Sequence, residues 1–250
     1  MTADITRLLD EWEFNPEANV RKIEGEDGVA KIQVRVDQGA FQGILQINLD
    51  GRPDGKRPYD TDFVLDHYES VCEREGEAGG PFHLDADACK ELFDESARIY
   101  GRYVFLLQIK EYERVVTDTE RNMRLFRFVN EHAEQDADQT SLQKWWPYIL
   151  RIHATARAML ATGEGNYDQA LAMLADTRQQ IEALKEVEAE EFFAERDRSL
   201  EALDELVSEL TSQRPPTERE RLEQELEAAI SEEAFERAAQ LRDQLRELRD

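Results

Sequence analysis

Residues 217–250 read TERERLEQELEAAISEEAFERAAQLRDQLRELRD, and this stretch decides the architecture of the chain's end. Thr217 stands three residues before Glu220, the spacing of a reciprocal capping box at a helix N-terminus. Leu222, Leu226 and Ala229 follow on one helical face. Ser231 to Ala234 interrupts the pattern. Phe235, Ala238, Ala239, Leu241, Leu245 and Leu248 then lie on the face of a second helix. Two amphipathic helices joined by a short break predict a helical hairpin with Phe235 in its seam. Just upstream, Arg214-Pro215-Pro216 stops any helix arriving from the N-terminal side, because proline lacks the amide donor and clashes with the preceding turn.

Outward from this boundary, residues 84–212 read as helix throughout. Pro147 is the one proline of the stretch and suits a first helical turn. The stretches Ile99–Val115 and Ala154–Leu174 look alike. In each, a small or aromatic residue (Tyr103, Ala158) lies nine positions before a tyrosine (Tyr112, Tyr167), and Val115 or Ala170 three after it. From Thr177 the apolar spacing predicts one long helix up to the prolines, with Leu200, Leu203, Val207 and Leu210 as a short coiled-coil-like seam. Glu134 to Ser141 reads as a polar loop.

The first 80 residues differ. Ile5, Leu8, Leu9 and Trp12 have helical spacing up to Pro16. Ile32, Val34 and Val36 alternate with Lys31, Gln33 and Arg35, the pattern of a half-buried strand. A second strand runs from about Phe41 to Leu49, with Leu45, Ile47 and Leu49 on its apolar side and a hairpin turn at Asp37–Ala40. Gly51-Arg-Pro-Asp-Gly55 is a strong turn, and Asp62 is placed to cap a following helix. The expected fold is mainly α (α+β): a small β-hairpin-containing region over 1–80, a helical domain over 84–212 ending in a long helix, and the helical hairpin at 217–250.

The formal net charge of −25 repels phosphate and argues against direct binding of nucleic acid, which draws on lysine and arginine. Residues 217–250 carry 6 Arg against 11 Asp or Glu, a net of −5, so the hairpin itself is a poor DNA reader. No basic leader or long apolar run is present, so a soluble, cytoplasmic protein without membrane contact is expected. Cys72 and Cys89 are expected as small apolar residues. No phosphate loop, GxSxG, HExxH or dinucleotide motif occurs, and no catalytic, cofactor or metal site is assigned. Three sharper candidates stand beside that reading. They are His153, on the helix before a turn; the aromatic run Trp145-Trp146-Pro147-Tyr148, read as core or as a peptide groove; and an enzyme site near Arg52, Asp54, Arg57 and Asp60.

Leu222, Leu226, Ala229 and Phe235-Glu-Arg-Ala-Ala-Gln-Leu-Arg-Asp-Gln-Leu245 together resemble the UVR motif, whose core reads F-E-x-A-A-x-L-R-D-x-[IL]; Ile230 departs from it, where a second alanine is common. The resemblance implies a protein-binding hairpin with Leu222, Leu226, Ala229, Phe235, Ala238, Ala239, Leu241, Arg242, Asp243 and Leu245 as its site residues. It also implies partners of the kinds that use such hairpins: UvrB or UvrC, a Clp-type ATPase, or a second copy of the chain. The layout is similar to bacterial proteins known by this motif alone, in which a strand precedes GRPDG and RP, as at Gly51–Gly55 and Arg57-Pro58. The middle region resembles the tetratricopeptide repeat, a helix–turn–helix unit of about 34 residues, although Tyr112 and Tyr167 are 55 residues apart.

Overall fold

The computed structural model describes residues 4–247; Leu248, expected on the second hairpin helix, lies outside the described residues. The fold is mainly helical, with a small antiparallel sheet near the N-terminus and a helical pair at the C-terminus. The chain divides into two compact units, Met1–Val207 and Ser208–Asp250.

The first unit opens with a short helix α1 (Thr6–Glu11), followed by β1 (Val20–Glu24), β2 (Ala30–Gln38) and β3 (Phe41–Asn48) in the order β1-β2-β3, all antiparallel. Gln38 pairs with Phe41 across a two-residue turn. Gly39 takes φ of 61° there, a region open to glycine at little cost. The alternation in β2 is real: Ile32 and Val34 are buried. Two positions of the hairpin, one in each strand, depart from the expected pattern. Arg35, expected outside, is buried, because its guanidinium donates to the carbonyls of Trp12 (3.2 Å) and Val36 (2.6 Å). Leu45, expected inside, is exposed. The edge strand β1 was not legible, since Val20 and Ile23 are three apart and break the alternation.

Helices follow: α2 (Val64–Glu77), α3 (Ala86–Gln108), α4 (Tyr112–His132), a short α5 (Asp136–Ser141) where a loop was expected, α6 (Trp146–Gly163), α7 (Tyr167–Glu182) and α8 (Glu190–Gln213). The single long helix expected from Thr177 is two helices, broken between Glu182 and Glu190 without a glycine or proline to signal it. The two look-alike stretches both fall on helix–turn–helix pairs, α3–α4 and α6–α7. Both turns close the same way. Gly165 (φ 83°) and Lys110 (φ 62°) sit in the left-handed region. The next amide reaches back five residues, Asn166 to Ala161 O at 2.8 Å and Glu111 to Leu106 O at 2.9 Å. This is the Schellman closure of a helix C-terminus.

Sheet and helices share a core. Ile32, Leu49 and Phe63 pack with Ile99, Tyr103, Leu106, Val115 and Ile152. A neighbouring cluster joins Leu65, Leu84, Cys89, Leu92, Leu125, Val129 and Ile149. Three buried charged side chains tie these layers: Arg102, Asp118 and Glu95. Arg102 of α3 holds Asp118 of α4 through two bonds of 2.8 and 2.6 Å, and donates to the carbonyls of Asn48 (3.2 Å), the last residue of β3, and Gly51 (2.6 Å) just beyond it. Glu95 of α3, fully buried, accepts the amides of Val64 (2.7 Å) and Leu65 (3.1 Å) at the start of α2. The cap expected from Asp62 is therefore supplied by another helix. Asp62 is exposed and pairs with Arg57 at 3.2 Å.

His153 of α6 faces Thr119 of α4 at 2.9 Å. The threonine hydroxyl donates to Val115 O (2.7 Å), so it accepts from His153 Nδ1–H. Burial holds this imidazole below its ordinary pKa of 6.5, with Glu120 opposing and Arg157 reinforcing the shift. The unfolded chain thus binds the proton more readily, and stability falls as pH drops below 6.5. His153→Gln is expected to flatten that acid-side loss in urea melts between pH 7 and 5; an unchanged slope would assign the loss to other groups.

Candidate functional site

The second unit is built around α9 (Glu218–Ser231) and α10 (Phe235–Glu247). The capping box forms as the sequence requires: Thr217 Oγ1 accepts from the Glu220 amide (3.1 Å), and the Glu220 carboxylate accepts from the Thr217 amide (2.8 Å). These bonds and Arg214, which pairs with the same carboxylate across Pro215-Pro216, hold Glu220 below the usual carboxylate range.

The connection between the helices repeats the closure seen twice in the first unit. Glu233 takes φ of 57°, and the Ala234 amide donates to Ala229 O at 2.8 Å. A side-chain-bearing residue is disfavoured there by roughly 1–2 kcal/mol, partly offset by glycine's larger unfolded-state entropy. Glu233→Gly is therefore expected to stabilise the hairpin by about 0.5–1 kcal/mol. Thermal melting followed through the helical signal checks it, and a lower melting temperature would contradict the strain.

Leu222, Ala229, Ala238 and Leu241 are the buried seam, with Leu226, Ala234 and Leu245 packed against them. Small residues on facing positions let the helices approach closely. Across the seam Arg237 pairs with Glu225 at 2.9 Å. The structure thus brings together six of the ten residues expected from the motif: Leu222, Leu226, Ala229, Ala238, Leu241 and Leu245. Ala239, Arg242 and Asp243 are exposed. Phe235, expected in the seam, is 68% exposed. It is the first residue of α10, and Ala234 takes the inward position at the turn instead. Phe235, Ala239 and Arg242 recur at i, i+4 and i+7, so they share the outer face of α10. Ile230, next to the turn, is also exposed, at 51%. The motif's conspicuous phenylalanine is thus a surface residue, a point that periodicity alone misassigns because position 235 fits either helical face at a helix start.

The other sequence candidates lie in the first unit. Arg52 is ion-paired with Asp54 (3.1 Å) and lies 3.8 Å from Glu95; Arg98 joins Asp54 at 3.4 Å. These groups pin the Gly51–Gly55 turn to α3. Arg57 turns instead to Asp62, and Asp60 contributes a backbone carbonyl to it. Cys89 is buried, and Cys72 lies 3.8 Å from His132. The aromatic run splits: Trp146 packs on Phe126 in the core, while Trp145 and Tyr148 line a cavity. No described helix is long and apolar enough to cross a membrane.

The described residues of the second unit thus form a two-helix hairpin whose seam is leucine and alanine, capped at Thr217 and closed at Glu233. Residues 217–250 match the family model described as the UvrB/uvrC motif. No curated protein and no solved structure matches the chain.

Proposed function

We propose that this protein is a cytoplasmic bacterial adaptor, without enzymatic activity of its own, that captures a protein partner through the outer face of its C-terminal hairpin. The observation that carries this reading is the UvrB/uvrC motif at 217–250 with Phe235 exposed on it. Exposed aromatic side chains are enriched among the residues that dominate protein interfaces. A hairpin of this size has little core of its own: chains below about 40 residues usually need further stabilisation, which a partner surface supplies. The hairpin's net charge of −5 favours a protein surface over nucleic acid.

The partner classes are UvrB or UvrC, a Clp-type ATPase, or a second copy of the chain. The motif's own description also supports a narrower reading as an accessory factor of nucleotide excision repair. The test compares the full chain with one lacking residues 217–250, in pull-downs against purified UvrB, UvrC and a Clp ATPase and in sedimentation for self-association. The full chain is expected to capture a partner or dimerise; the truncated chain is expected to lose this while keeping its helical signal. Capture by the truncated chain would overturn the reading, and loss of its fold would make the hairpin structural.

A further inference from the structure

A cavity of about 400 Å³ opens within the first unit between α3, α4, the start of α6 and α8. Six aromatic side chains wall it: Phe93, Tyr100, Tyr103, Phe126, Trp145 and Tyr148. Its volume falls in the range of small-molecule sites, which are mostly apolar with a few fixed polar groups.

The polar groups here are specific. Asn122 is 1% exposed, and its Nδ2 donates to Ser96 O at 3.1 Å. That bond fixes the amide's orientation and leaves Oδ1 as an acceptor, with no hydrogen-bond partner among the described residues. Glu195 is 8% exposed; one carboxylate oxygen pairs with Arg198, and Oε2 is buried with no partner among the described residues. Leaving such atoms unpaired is costly, and native structures rarely do so without a functional reason. Both atoms accept and neither donates. Burial pushes the Tyr103 and Tyr148 phenols up, and Glu195 is the one acidic side chain among the described residues that line the cavity. Arg198, by contrast, has a side chain 65% exposed, where solvent screens its charge. Aromatic faces attract cations, and the two orphan acceptors call for hydrogen-bond donors.

We propose that this cavity binds a small organic cation, an ammonium, amidinium or guanidinium compound with an apolar body, which lies among the aromatic rings and donates to Glu195 Oε2 and Asn122 Oδ1. The site would make the body a ligand sensor, independent of the hairpin.

Isothermal titration of the full chain tests this with 2-phenylethylammonium, benzamidinium and agmatine as cations, 2-phenylethanol as the neutral analogue and 3-phenylpropionate as the anion. At least one cation is expected to bind saturably at one per chain and at least roughly tenfold tighter than the alcohol and the anion, the scale of a charged hydrogen bond. Glu195→Gln, which keeps the side chain's size, is expected to remove that preference. Tyr100→Ala, at a residue already 47% exposed, is expected to weaken cation binding without changing the melting temperature. Absence of saturable binding by every cation, equal binding of the alcohol or the anion, or unchanged affinity in Glu195→Gln at an unaltered melting temperature would overturn the proposal.

Discussion

Replacing Arg102 by alanine is expected to cost about 3–5 kcal/mol of folding stability, the range for removing one partner of a buried ion pair. Both side chains of the Arg102–Asp118 pair are 4% exposed. Without the guanidinium, the buried Asp118 carboxyl loses both of its hydrogen bonds to Arg102, and the carbonyls of Asn48 and Gly51 lose their donor. Small domains have roughly 5–15 kcal/mol of stability in all, so the loss is a large fraction of it. Lysine is not a conservative replacement, because a single ammonium cannot reproduce the fork that spans a carboxylate and two carbonyls. Removing both charges together, as Arg102→Met with Asp118→Leu, is expected to be milder than Arg102→Ala, since no unpaired charge remains. Urea titrations of the three proteins measure this. A loss below about 1 kcal/mol for Arg102→Ala would show that the pair contributes little beyond its own desolvation cost.

The second large effect separates the hairpin's fold from its contact surface. Leu241 is fully buried in the seam. Leu241→Asp removes about 1.5–3 kcal/mol of apolar burial and places a carboxylate where nothing pairs with it. The seam has few other buried residues, so α9 and α10 are expected to unfold, with a measurable loss of far-ultraviolet helical signal. Phe235→Asp changes a residue 68% exposed and is expected to keep that signal intact. Both variants are expected to lose partner capture, Phe235→Asp by roughly 30-fold or more if it is an interface anchor worth about 2 kcal/mol. Wild-type capture by Phe235→Asp would move the contact surface away from the outer face of α10.

The pattern of residues made the main elements legible where local chemistry alone decides them. Thr217 and Glu220 announced their capping box, the alternation through Ile32 and Val34 announced a strand, and Leu222, Ala229, Ala238 and Leu241 announced a seam. What failed depends on partners distant in the chain. Asp62 has the right chemistry for a cap, but Glu95, some thirty residues on, makes the bonds. Arg35 has the pattern of a solvent-facing residue, but carbonyls from Trp12 and Val36 receive it. Of the candidate sites, the hairpin was legible through spacing, apart from the direction of Phe235. The cavity was half visible as the aromatic run at 145–148; Asn122 and Glu195 come from helices that no local pattern connects.

The borrowed cap on α2 has a consequence for how the body holds together. A helix start is normally a local affair, settled by the residue just before it. Here the first amides of α2 are satisfied only once α3 has docked, because the carboxylate that receives them belongs to α3. Fraying of α2 from its N-terminus therefore exposes a buried carboxylate as well as two amides. Opening α2 and separating it from α3 become a single event, and the two helices belong to one cooperative foldon. Among slowly exchanging amide protons, those of Val64 and Leu65 would mark the lifetime of that docked state, at a helix end where exchange is ordinarily fastest.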